Sequence, residues 1–256
     1  LILSIAVRYV NFKVRHPLPD RKEDSMLESL APVDNSTLRE RVYRTLKQAI
    51  LEGRFSPGET LPTRSLAKVL GTSVMPVRDA LLRLHAEGGV ELLPNRAARL
   101  PTLSRESIAE LYEVRLNLEG LAAAMAAGRI EADELAEVER AFAGMMDASD
   151  RNDVTAFLRE NQLFHFAIYR AAKSFHMLPI IEALWLKGGP LLRPFVRGSR
   201  VQERLFQGHE NHARALEGLT SRNADLARQG ILDDLGAAAR WYSANFEEQQ
   251  ARGEAS

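Results

Sequence analysis

The sequence predicts a mostly α-helical protein: a small N-terminal module of three helices and a two-stranded wing, then an all-α bundle of about six helices. Three observations carry this. Apolar residues recur at helical spacing through most of the chain from Thr37 onward. Strand-like patterning is confined to one short stretch, VELLPNRAARL at 90–100. The zero net charge conceals an asymmetry, because residues 35–103 carry eleven basic and six acidic side chains whereas 104–256 carry 18 and 23. A basic module followed by an acidic one implies that only the first meets a polyanion.

Composition narrows the chemistry. A chain of 256 residues holds one large domain or two ordinary ones. It has no cysteine, which removes disulfides, thiolate metal sites and cysteine nucleophiles. No apolar run approaches the roughly 18 residues of a membrane span. The protein is therefore expected in the cytoplasm, without a membrane partner. Residues 1–34 are expected to be an N-terminal extension, disordered or upstream of the true start, since Met26 precedes an ordinary beginning and LILSIAVRYV lacks a basic lead and a cleavage site; the alternative is a genuine strand or anchoring tail.

In the basic module, Thr37 and Glu40 give a capping-box signal, followed by Leu38, Val42, Tyr43, Leu46 and Ile50 at helical spacing. Gly53 and SPGE at 56–59 end that helix. A second short helix runs to Leu70-Gly71. A third starts at Ser73, a good N-cap, with Pro76 tolerated in its first turn. Val77, Leu81, Leu82 and Leu84 are expected on its buried side. Two helices joined by a tight glycine turn are a helix-turn-helix candidate, and VELL and AARL around PNR form the wing.

The stretches VYRTLKQAILEGRFSPGETL, RSLAKVLGTS, PVRDALLRLHAEG and VELLPNR together resemble the winged helix-turn-helix of GntR-family bacterial transcription regulators. The resemblance implies a double-stranded DNA operator as partner. It places Arg64, Ser73, Val74, Met75 and Arg78 at DNA, with Asn95 and Arg96 in the wing. Arg64 and Arg78 suit phosphate or guanine, and Ser73 suits a phosphate at a helix N-terminus. Val74 and Met75 stand where many relatives carry Arg-Thr; neither makes a bidentate guanine contact. Arg83 and Arg99 are read equally well as solvated charges.

Beyond Ser104, six segments carry helical spacing: roughly 105–127, 131–148, 152–172, 174–187, 200–219 and 222–247. Breaks are expected at Gly128, Asp150-Arg151-Asn152, Gly188-Gly189-Pro190, Gly198 and Ser221-Arg222-Asn223. On the third segment Asn161 and His165 stand four apart, on the same face as Phe157, Leu158, Phe164, Ile168 and Ala172. A polar pair on a core-facing stripe is either a satisfied hydrogen-bonding network or half of a metal site.

SRESIAELYEVRLNLEGLAAAMAA, NQLFHFAIYRAA and NHARALEGLTSRNADLARQGILDDL resemble the FCD effector domain of the FadR-like subfamily. The implied organisation is a DNA-binding domain at 35–103 and a ligand-binding domain at 104–250, in a homodimeric regulator, expected to be a repressor. Many FCD domains hold a metal with an acidic residue and a histidine four apart, then two later histidines. The matching positions here are Asn161, His165, His212 and Asp234, so two of four depart from that pattern. Helix projection supports the last: Asp234 falls with Ala227, Ile231, Ala238 and Tyr242, and Asp233 falls opposite. Imidazole and carboxylate oxygen suit zinc first, with nickel or manganese as alternatives. Arg115 matches a cavity arginine that would clamp a small organic acid, or it pairs with Glu119 one turn on. Arg193 and Arg197 are weaker candidates for the same role. A metal-dependent enzyme on a helical bundle is the rival function, against which stand the missing phosphate loop, nucleophile elbow and HExxH pattern.

Overall fold

The computed structural model describes residues 37–94, 97–196 and 201–254, with side chains for all of these but 193–196, 201–208 and 248–254. The expected N-terminal extension at 1–34 and the wing residues Asn95 and Arg96 lie outside the described residues. Helix α1 spans Leu38–Leu51, α2 Thr63–Val69 and α3 Val74–Ala86. Strands β1 (Thr60–Leu61), β2 (Glu91–Leu92) and β3 (Ala98–Arg99) form an antiparallel sheet in the order β1-β3-β2. Arg99 sits opposite Thr60 on one side and Glu91 on the other. The wing is therefore three-stranded; β1 is two residues long and carries no period that sequence could reveal.

Thr37 caps α1 by accepting from the Glu40 amide at 3.3 Å. The reciprocal half of the expected box is absent, because the Glu40 carboxylate accepts instead from Arg44 and Arg83. Val42, Tyr43, Leu46, Ile50, Val77, Ala80, Leu81 and Leu84 form the buried seam of the module. Leu82 is a correction: it is 47% exposed. Leu81 and Leu82 point about 100° apart around the helix, so both cannot face one seam, and Ala80 is buried there instead.

The bundle comprises α4 (Arg105–Arg129), α5 (Ala132–Asp150), α6 (Val154–Ala171), α7 (Met177–Val196), α8 (Val201–Thr220) and α9 (Ala224–Glu254). Polar side chains start several of these by taking otherwise unpaired amides: Ser104 from Ser107, Asp153 from Ala156, and Asn223 from Leu226. Asn152 and Arg222 turn the chain with φ of 54° and 55°, where breaks were expected. A departure from helical geometry at Asn245 interrupts α9. The break expected at Gly188-Gly189-Pro190 does not occur, because α7 runs through it to Val196. Glycine and proline disfavour a helix locally, but here the two glycines sit where other groups approach too closely for a side chain.

Helices α8 and α9 cross on small residues. A Cβ on Gly218 would meet the Ala227 amide at 2.1 Å, and one on Gly230 the Ala215 amide at 2.4 Å. This contact holds the α8 face bearing His212 against the α9 face bearing Asp234. Thr37–Ser256 form one compact unit, with α1 packed on α7.

Candidate functional site

At the start of α3, Ser73 is the N-cap residue and its hydroxyl makes no capping bond. Val74 is 41% and Met75 55% exposed, and Arg64 and Arg78 are exposed as well. No ion pair engages Arg64 or Arg78 among the described residues. Arg83 and Arg99, by contrast, are held by carboxylates: Arg83 by Glu40 at 2.8 Å and Arg99 by Glu91 at 2.7 Å. The Arg83 guanidinium also lies 3.6 Å from the Tyr43 ring centre. The module thus presents a helix N-terminus flanked by uncommitted arginines, a surface suited to phosphate and base edges.

Within the bundle, His165, His212 and Asp234 converge from α6, α8 and α9. His165 Nε2 lies 3.2 Å from His212 Nε2 and 3.3 Å from Asp234 Oδ2, and His212 Nε2 lies 3.5 Å from Asp234 Oδ1. Ligand atoms bound about 2.1 Å from a tetrahedral zinc stand about 3.4 Å from one another. The three separations match an ion-binding face, and two imidazoles with a carboxylate are a donor set zinc accepts. Both histidines are buried, while the Asp234 side chain keeps 19% of its surface. Burial alone would raise the Asp234 carboxyl; His212, His165 and Arg115 outweigh it and hold it below the usual carboxylate range.

Asn161 is buried on α6, one turn before His165. No hydrogen bond joins its side chain to the other three among the described residues. Phe157, Leu158, Phe164, Ile168 and Ala172 are buried with it, as the apolar stripe predicts. Ala227, Ile231, Ala238 and Tyr242 are buried beside Asp234, whereas Asp233 faces outward and binds Arg214.

Arg115 pairs with Glu119. Its Nε donates to Glu119 Oε1 at 2.6 Å, and the side chains are 1% and 0% exposed. Glu119 also accepts from Trp185 Nε1 at 3.0 Å and from the Tyr169 hydroxyl. Tyr169 in turn meets His165 Nδ1 at 3.0 Å. An unbroken chain therefore runs from Arg115 through Glu119 and Tyr169 to His165. Burial works against the Arg115 charge, yet Glu119 overcomes it and the guanidinium pKa rises. Burial, then Glu119, holds the Tyr169 phenol well above its ordinary value. Burial pushes the Tyr112 phenol up to about 12.

Arg115 Nη1 and the Tyr112 hydroxyl are among the buried polar atoms that stay unmatched in the described residues. The Arg115 guanidinium lies 5.2 Å from the Tyr112 ring centre and 4.9 Å from that of Trp185, which in turn packs on the His165 ring. A buried donor left unmatched is costly. The side chains of Arg193 and Arg197 fall outside those described.

Glu119, Tyr169, Trp185 and Tyr112 were not singled out as site residues by sequence. One signal was available: Tyr169 stands four after His165 and eight after Asn161, on one helix face.

The N-terminal module also touches the bundle helices. Gln48 of α1 donates to Gln162 of α6 at 2.8 Å, next to Asn161, and Lys47 binds Glu182 of α7 at 3.0 Å.

Comparison with known proteins gives two family matches: "Bacterial regulatory proteins, gntR family" over residues 38–100, and the FCD domain over residues 110–237. The chain is 30% identical over 193 residues to the HTH-type transcriptional regulator McbR of Escherichia coli (strain K12), covering 75% of this chain and 87% of that protein. It is 28% identical over 204 residues to the HTH-type transcriptional repressor GlaR of the same organism, covering 75% and 92%. The solved structure of E. coli McbR/YncC matches with a TM-score of 0.73 at 27% identity, covering 84% of this chain and 99% of that one. A GntR regulator from Rhodococcus sp. RHA1 shares the fold, with a TM-score of 0.64 at 21% identity, covering 79% and 96%.

Proposed function

This chain belongs to the GntR family of bacterial regulatory proteins and carries the FCD domain, and from that premise we propose that it represses a metabolic operon under control of a small organic acid bound in the helical domain. It is a transcription regulator, and its family is one of regulators and not of enzymes. We assign DNA binding to residues 35–103 and ligand binding to 104–250. A homodimer would set each Ser73–Arg78 helix start into a major groove, with the two half-sites related by the dimer axis. GlaR is named a repressor, which favours that sign of regulation. No helix among the described residues is long and apolar enough to cross a membrane, which agrees with a protein acting on cytoplasmic DNA.

The observation that carries the effector reading is the unmatched Arg115 Nη1 beside a three-ligand cluster. His165, His212 and Asp234 would hold a divalent metal, zinc first and nickel or manganese next, with the Asn161 amide as a fourth donor. A bound metal supplies a Lewis-acid site for a carboxylate oxygen. Arg115 orients the same carboxylate through Nη1, and the Tyr112 hydroxyl offers a second donor. Glu119 keeps the guanidinium in place and charged when no acid is present. For the acid to change DNA affinity, it must bind one arrangement of the two modules better than the other. The α1 contacts with Gln162 and Glu182 give such a preference a route to the DNA-binding module.

A gel shift on the DNA upstream of the gene, combined with thermal shift against sugar acids and dicarboxylates, tests the reading. A compound that stabilises the protein should release or tighten DNA, and Arg115→Lys should blunt its effect. A stabilising acid that leaves DNA affinity unchanged would show that the proposed effector site does not control the DNA module.

A further inference from the structure

The hydrogen-bond chain behind His165 carries more than support. Glu119 accepts from Arg115 Nε, Trp185 Nε1 and the Tyr169 hydroxyl. A carboxylate is an acceptor only, and a phenol has one proton. The Tyr169 proton is therefore committed to Glu119. What remains on the phenol oxygen is acceptor capacity, and His165 Nδ1 lies 3.0 Å from it. Nδ1 must then carry a hydrogen. In the neutral ring that leaves Nε2 with its lone pair, facing Asp234 Oδ2 at 3.3 Å and His212 Nε2 at 3.2 Å. That lone pair can accept a hydrogen from His212 Nε2 or bind a cation, and only toward Asp234 Oδ2 is it repulsive unless a cation lies between them.

We infer that Tyr169, anchored by Glu119, is a positioning residue that fixes the tautomer and rotation of His165 so that Nε2 is the metal donor. This rests on the metal reading above. Tyr169 touches no ligand itself and acts through His165. The carboxylate behind it also makes the imidazole a stronger donor, as second-shell partners of metal-bound histidines do. The buried Arg115–Glu119 pair gains a second purpose: Arg115 holds the Glu119 carboxylate in the position where it accepts the Tyr169 proton, which therefore points away from His165. Tyr169 and Trp185 both meet Glu119 Oε2, so the ring of Trp185 closes one side of this relay, while Phe164 packs edge-on against both histidines.

The test uses the full chain, Tyr169→Phe, and zinc alone as the probe. Competition with a chromophoric chelator should give zinc binding weaker by roughly 10–100-fold in the variant, with a cooperative melt and an unchanged far-UV spectrum in chelator showing that the fold is intact. Long-range nitrogen–proton correlation spectra of the zinc-free protein near neutral-to-basic pH should show Nδ1–H for His165 in the wild type and a shift toward Nε2–H in Tyr169→Phe. Equal zinc affinity in the two proteins, or an Nε2–H tautomer in the wild type, overturns the proposal. If the wild type takes up no zinc, the metal reading fails by itself, and the ring spectrum still decides whether Tyr169 sets the tautomer.

Discussion

A Cβ on Gly189 would lie 2.5 Å from the backbone oxygen of Ile50, so α7 of the bundle meets the end of α1 backbone to backbone. Its neighbour Gly188 faces the other way, where a Cβ would lie 2.9 Å from Arg115 Nη1. Gly53, past the end of α1 with φ of 59°, closes the same contact, its own Cβ position being 2.8 Å from the Gly189 oxygen. Two consecutive glycines thus face the N-terminal module and Arg115.

The two should respond differently to a methyl group. At Gly189 the obstacle is backbone, so Gly189→Ala should separate α1 from α7 and destabilise the protein by about 1–3 kcal/mol. At Gly188 the obstacle is the tip of an arginine, so Gly188→Ala should cost less stability while displacing the group proposed to meet the acid. Urea melts and gel shifts with and without the active acid separate the effects. Equal losses of stability, or a full effector response in Gly188→Ala, would contradict this division.

Arg115 and Glu119 form a buried pair, and removing one member leaves the other charge stranded. Arg115→Met should therefore destabilise by about 3–5 kcal/mol, with Glu119 left to Tyr169 and Trp185 alone. Arg115→Met combined with Glu119→Leu should recover much of that loss, because two well-packed apolar side chains replace two desolvated charges. Denaturant melts of the single and double variants give the coupling directly. A single-variant loss under about 1 kcal/mol, the range of exposed ion pairs, would mean that the site is wet and the pair screened.

Much of the helix layout was legible because the apolar period and the caps agree: Thr37, Ser104, Asp153 and Asn223 start helices by local chemistry that needs no partner. Leu82 and the Gly188-Gly189-Pro190 stretch were misread for opposite reasons. Leu82 follows Leu81, and composition alone does not say which of two adjacent leucines faces the seam. At Gly188-Gly189 local propensity says break, yet α7 continues through them, and their missing side chains admit Arg115 and Ile50. In the site, His165, His212 and Asp234 are far apart in sequence; the family resemblance named them, and helix projection confirmed the inward side for Asp234. Glu119, Tyr169 and Trp185 come from three helices onto one carboxylate, a convergence that periodicity does not encode. The i,i+4 spacing of Arg115 with Glu119 and of His165 with Tyr169 supplies its only local traces.

At the DNA surface, charge commitment ranks the arginines. Arg78→Ala should cost roughly 1–3 kcal/mol of operator binding if the side chain reads a base. If it holds only phosphate, affinity should fall on all sequences and the salt slope should shrink. Arg83→Ala and Arg99→Ala should weaken binding less, since carboxylates already hold both side chains. Replacing Val74 and Met75 together by Arg and Thr should shift operator preference toward guanine, because a bidentate donor is restored in the major groove. Gel shifts over a salt series, with binding-site selection for the double variant, check all four. Loss of Arg99 exceeding loss of Arg78 would move the interface toward the wing.

The remaining prediction concerns Asn161, whose place on the face of His165 is the least explained feature of the bundle. As an amide it would bring a neutral oxygen to the proposed site, where the charge would come from Asp234 alone. Asn161→Asp adds a second carboxylate one turn from His165, so it should tighten zinc binding, and it should do so more than it changes stability in chelator. His165→Ala and His212→Ala remove a donor each from a cluster whose members lie 3.2 to 3.5 Å apart, and should abolish binding at micromolar metal. Elemental analysis of gently purified protein, followed by zinc titration of the three variants, measures this. If the wild type binds no divalent metal and Asn161→Asp changes nothing, then His165, His212 and Asp234 form a metal-free polar network. Their hydrogen bonds would then tie α6, α8 and α9 together without an ion.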